Sequence, residues 1–84
     1  MLVPVIVVKG STPRFFLTRA YINLNKILFL EEDDEILHKF ISLPDAFPAE
    51  LDRRVSFTRV CLVEGNTTHY LSVVGDPQQI ISKK

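Results

Sequence analysis

The sequence predicts a mainly β domain: about five strands in a small bent antiparallel sheet or open barrel, with a short C-terminal helix. Three observations carry that expectation. Phe16-Leu17-Thr18-Arg19-Ala20-Tyr21-Ile22 and Ser56-Phe57-Thr58-Arg59-Val60-Cys61-Leu62 share a Thr-Arg pair set among apolar, β-favouring residues. Two β-rich runs, residues 55–63 and 69–74, flank Glu64-Gly65-Asn66-Thr67, whose Gly-Asn pair is hairpin-turn chemistry. Finally, Gly75 stops the last strand, Asp76 suits a helix N-cap, Pro77 the first helical position and Gln79 the third.

Residues 3–9 are rich in valine and isoleucine and run into Gly10-Ser11-Thr12-Pro13, a cluster of turn formers that ends a first strand. Pro4 cannot donate to a ladder, so this strand is expected at an edge or starting after the proline. Residues 14–18 resume the extended pattern and complete a first hairpin. Tyr21-Ile22-Asn23-Leu24-Asn25 predicts a tight turn or a single 3₁₀ turn. Lys26-Ile27-Leu28-Phe29-Leu30 is then an apolar run of strand length, expected to be buried on both faces.

Glu31-Glu32-Asp33-Asp34-Glu35 reads as a solvated turn. Ile36, Leu37, Phe40 and Ile41 share one helical face, and acids ahead of them suit a helix N-terminus. Ile36, His38 and Phe40 also alternate as a strand would; the helix is the expectation. Residues 43–52, with Pro44, Asp45 and Pro48, leave the sheet, and residues 48–52 fit one helical turn begun by proline. In the later hairpin Val60, Leu62, Leu71 and Val73 are expected on the buried face. In the terminal helix Ile80 and Ile81 should dock on the sheet, with Lys83-Lys84 at the negative end of the helix dipole.

A chain of 84 residues makes one domain, 1–84, with little volume to spare for a cleft. Ten basic and ten acidic residues cancel, which disfavours a dedicated nucleic-acid binder, because phosphate neutralisation supplies most of such a protein's affinity. Cys61 is the single cysteine, so an intrachain disulfide is excluded; inside an apolar run it reads as a buried, inert thiol. The apolar opening, residues 1–8, lacks a basic flank, a cleavage site and the length to span a bilayer, and reads as a strand. Without an export signal the sequon Asn66-Thr67-Thr68 reads as accidental, and the expected location is the cytoplasm, with no membrane contact.

His38 and His69 have no thiol or carboxylate at a metal-binding spacing, and no glycine-rich phosphate loop is present. The acidic block lacks the alternating ligands and central glycine of a calcium loop. No catalytic residue, metal ligand or cofactor is therefore assigned, and no enzyme is expected. The expected function is a non-catalytic binding module or small assembly subunit working through protein–protein contacts. Self-association as a dimer or higher is included, with residues 3–8 as the favoured pairing edge. Ile36, Leu37, Phe40, Ile41 and Phe47 give the excursion over residues 32–54 an apolar surface and are the expected partner contacts; a helix packed on the protein's own core is the alternative. A second class of function is a single-strand nucleic-acid-binding small barrel, since arginines lie near strands that carry Phe15, Phe16 and Phe57. Its contacts would be Arg19 and Arg59, each following a Thr in the repeated word and expected at equivalent places on neighbouring strands.

The segment Tyr21-Ile22-Asn23-Leu24-Asn25-Lys26-Ile27, followed by Phe29-Leu30-Glu31, resembles the Asn-centred strand–turn–strand of short bacterial flagellar FlbD-like proteins. Residues 58–66 and 70–74, closing with Asp76-Pro77-Gln78-Gln79-Ile80-Ile81, resemble that family's hairpin and terminal helix. The excursion over residues 32–54 is longer than the family pattern, and Gln78-Gln79 stand where it has acids. The resemblance implies a sheet with a terminal helix and a small accessory role; it implies no site residues.

Overall fold

In the computed structural model, which describes residues 2–82, alternating burial begins at once. The strand β1 (Leu2–Ser11) turns Val3, Val5 and Val7 inward. After a Thr12-Pro13 turn β2 (Arg14–Asn23) returns along it, in register from Ser11↔Arg14 to Leu2↔Asn23. A 3₁₀ turn, Leu24–Lys26, follows, with the Asn23 side chain accepting the Asn25 N–H at 3.0 Å. Next come β3 (Ile27–Glu32), the helix α1 (Asp34–Ser42) and a second 3₁₀ turn, Pro44–Ala46. The chain ends in β4 (Phe57–Glu64), β5 (Thr67–Val74) and α2 (Pro77–Ile81).

The five strands form one open antiparallel sheet in the order β2-β1-β5-β4-β3, so its edges are β2 and β3. Val3, Val5, Val7, Ile22, Val60, Val73 and Ile80 form one core, and Ile27 and Leu30 of the far edge pack against it. Side chains from both edges meet in that core, so the sheet bends around it, and α2 supplies Ile80. The opposite face carries a second core of Phe15, Phe40, Phe47 and Phe57. There α1 and the segment after it close over the sheet: Phe15 stacks on Phe47 with centroids 4.5 Å apart, and Phe40 meets Phe57 edge-on at 5.8 Å.

Local chemistry behaves as the sequence indicates. The β4–β5 hairpin turns at Gly65-Asn66, with Gly65 at φ 62°. Val60 and Val73 are fully buried, whereas Leu62 and Leu71 are half-buried on the same face. The α2 start is a reciprocal cap: the Gln79 N–H donates to Asp76 Oδ1 at 2.8 Å and the Asp76 N–H to Gln79 Oε1 at 2.9 Å.

Other expectations are corrected. Strand β1 lies between β2 and β5 and is no edge; its pairing with β5 is confined to Val7↔Val73, which leaves Pro4 outside that ladder. Strand β3 is an edge strand with mostly exposed side chains, not one buried on both faces. The acidic block is no turn: Glu31 and Glu32 finish β3, Asp33 caps α1, and Asp34 and Glu35 form its first turn. The turn opened by Pro48 reduces to one bond, from the Leu51 N–H to the Pro48 carbonyl at 3.2 Å. Ile81 stays exposed beside the buried Ile80, and Lys83-Lys84 lie outside the described residues.

Gly10 makes the first hairpin possible. Its φ is 95°, and a Cβ there would lie 2.8 Å from the Arg14 carbonyl oxygen, a backbone atom that cannot swing away. Gly10→Ala is expected to lower stability by about 1–2 kcal/mol. A urea midpoint equal to that of the unsubstituted protein would refute this reading of the turn.

Candidate functional site

Asp33 sits between β3 and α1 and is 1% exposed. Its Oδ1 accepts the Ile36 N–H at 3.2 Å, capping α1, and its Oδ2 accepts the Ser72 hydroxyl at 2.6 Å. The sheet register sets Glu31, Arg59 and Ser72 in one row across β3, β4 and β5. From there the Arg59 guanidinium reaches Glu31 at 3.3 Å, Asp33 at 3.5 Å and Glu35 at 3.4 Å. This cluster fastens the start of α1 to the sheet, and its polar groups are spent on one another.

The residues expected to contact partners are divided by the fold. Phe40 and Phe47 are buried in the second core, with Ile36 and Leu37 half-buried against it. Only Ile41, 69% exposed, faces water. Arg19 and Arg59 do not occupy neighbouring strands, because β1 and β5 separate β2 from β4. Arg59 is held by three carboxylates, whereas Arg19 is exposed and has no ion pair among the described residues.

Apolar side chains are left in water on both sides of the sheet, Leu2, Phe16 and Tyr21 on the β2 side and a second set at the free edge of β3. Leu28, 60% exposed, sits at a β-bulge between Ile27 and Phe29. Phe29 is 40% and Tyr70 60% exposed. They share a cross-strand row with Cys61, and their rings meet across it at 6.3 Å, which accounts for the burial of that free thiol. On the other margin Ile27, Phe29 and Leu30 of β3 and Pro77, Ile80 and Ile81 of α2 line a groove of about 410 Å³. A second groove, of about 480 Å³, opens at the hairpin end between Ala20, Ile22, Leu62 and Leu71, with Lys26, Glu64 and His69 around it.

Charge is segregated although it sums to zero. Residues 1–30 hold four basic residues (Lys9, Arg14, Arg19 and Lys26) and no acid, while residues 31–35 are five acids. One sheet edge, β2, is therefore basic, and the other, β3, ends in Glu31 and Glu32. The flanking of Ile27-Leu28-Phe29-Leu30 by Lys26 and these acids was a legible edge-strand signal, since charges guard open edges. The contribution of Tyr70 had no such signal, because it depends on which strands are neighbours.

Among the described residues no group of three or more His, Cys, Asp or Glu could hold a metal ion, and no helix is long and apolar enough to cross a membrane. Comparison with protein-family models, curated proteins and solved structures gives no match.

Proposed function

We propose that this domain is a non-catalytic protein-binding module, a small assembly or accessory subunit that works through the β3 edge. The observation that carries the reading is the cluster of Leu28, Phe29 and Tyr70 in water beside unpaired strand groups and an apolar groove. Taking such a side chain from full exposure to full burial is worth roughly 1.5–3 kcal/mol, and a docking segment can recover the share left by the part still exposed. An edge strand also offers main-chain donors and acceptors to an extended segment. A cytoplasmic setting is in keeping with one unpaired cysteine. The resemblance to FlbD-like proteins agrees with an accessory role but does not carry it.

A second reading, single-strand nucleic-acid binding, draws on Arg14 and Arg19 beside the exposed Phe16 and Tyr21 of β2. It loses Arg59, whose guanidinium is already occupied. A photo-crosslinking side chain at position 29, in cells of the native host, tests both. Protein adducts are expected at position 29 and not at Ser42, together with no sub-micromolar shift of single-stranded DNA or RNA. Adducts to nucleic acid alone, or none at all, would overturn the protein-binding reading.

A further inference from the structure

We propose that the β2 edge takes up an acidic extended segment of another protein as an added antiparallel strand, a second contact surface beyond the β3 edge. Strand β2 pairs with β1 along all of its 10 residues and with no strand on its other side. Half of its main-chain donors and acceptors therefore face outward, in a run without proline or bulge. Its side chains repeat a short pattern, Arg14 with Phe16 and Arg19 with Tyr21. In each pair the arginine stands two residues before an aromatic, so both members share a face of the sheet. The two pairs are five residues apart, an odd number, and so lie on opposite faces. Burial agrees: Phe15 is buried in the second core and Ile22 in the first, at opposite ends and on opposite faces of β2. That leaves Arg14 and Phe16 exposed on one face and Arg19 and Tyr21 on the other.

Charge selects the occupant. Residues 1–30 hold Lys9, Arg14, Arg19 and Lys26 and no acid, and neither arginine of β2 has an ion pair among the described residues. Asp45 lines a groove beside the Thr12-Pro13 turn and Glu64 one beside Tyr21, without pairing with them. A second copy of β2 would bring arginines toward arginines, whereas an acidic strand neutralises both. The split between faces separates peptide from nucleic acid. A single-strand platform stacks its bases on aromatics along one charged surface. An added strand sends alternate side chains to both faces and so meets both pairs at once. Running antiparallel, the more stable ladder, it presents an apolar residue to Tyr21, an acid to Arg19, an apolar residue to Phe16 and an acid to Arg14. Its acids are then five residues apart, as the arginines are.

The test is fluorescence polarisation of a labelled, capped threonine peptide of eight residues, titrated with the full chain. Leucine stands at its first and sixth positions and glutamate at its third and eighth. Saturable binding with a Kd below about 1 mM is expected. A control peptide moves the first glutamate to the fourth position, and so to the other face. It should bind on the order of tenfold more weakly, as should the original peptide to Arg19→Glu. Lysine in place of the peptide's first glutamate should recover binding to Arg19→Glu, which also shows that the variant is folded. No saturable binding, equal binding of the two glutamate peptides, or a charge swap without recovery overturns the inference. A single-stranded oligonucleotide that binds where the peptides do not also overturns it and gives the patch to nucleic acid. The β3 reading is tested separately by the crosslink at position 29, on the opposite edge, so either can fail while the other stands.

Discussion

Phe57→Ala is expected to cost about 3–5 kcal/mol, the usual range for emptying a buried aromatic site. Phe57 is 2% exposed and meets Phe40 and Phe47, so one ring joins β4 both to α1 and to the segment behind it. Its loss leaves a cavity between two layers whose backbones are held elsewhere, the sheet by its ladder and α1 by its cap, so collapse cannot fill it. Domains of this kind have total stabilities of roughly 5–15 kcal/mol, so much of the margin would go and partial unfolding near physiological temperature is expected. Urea unfolding followed by circular dichroism checks it. A change below about 1 kcal/mol would mean that the aromatic layer is not part of the cooperative core.

Asp33→Ala is expected to cost about 2–4 kcal/mol, because three separate functions end together. Helix α1 loses its cap, Ser72 loses the acceptor of its 2.6 Å bond, and Arg59 loses the most buried of its three carboxylates. Glu31 and Glu35 remain to neutralise Arg59, which keeps the cost below that of an orphaned buried charge. Asp33→Asn retains a capping oxygen and a partner for Ser72, so it should cost about half as much. Thermal unfolding separates the two, since each kcal/mol moves the midpoint of a domain this size by roughly 4–8 °C. Equal losses for Ala and Asn would show that charge on Arg59, and not hydrogen bonding, is what Asp33 contributes.

Sequence reading succeeds here wherever the deciding atoms lie within a few residues of one another. The Gly65-Asn66 hairpin, the Asp76–Gln79 cap, the 3₁₀ turn after Asn23 and the helix that turns Ile36, Leu37 and Phe40 inward are all of that kind, although Ile41, expected on the same face, is exposed. The acidic block misleads because five like charges suggest water. Yet Asp33 is drawn inward by Arg59 and Ser72, which are 26 and 39 residues away in the chain.

By itself the sequence determined a mainly β domain, its hairpins, the cap of its terminal helix and the approximate spans of most of its elements. Only the tertiary structure decided the strand order, and the candidate site follows from that order. A two-residue period tells which side chains share a face but not which strand lies alongside, and β1 and β3 are both short apolar runs. Placing β1 inside and β3 at the rim leaves Leu28 and Phe29 in water and puts Tyr70 one strand beyond Cys61. The same packing turns Phe40 and Phe47 inward, into the second core. Exposure depends on every neighbour at once, and those neighbours are set by long-range pairing of strands.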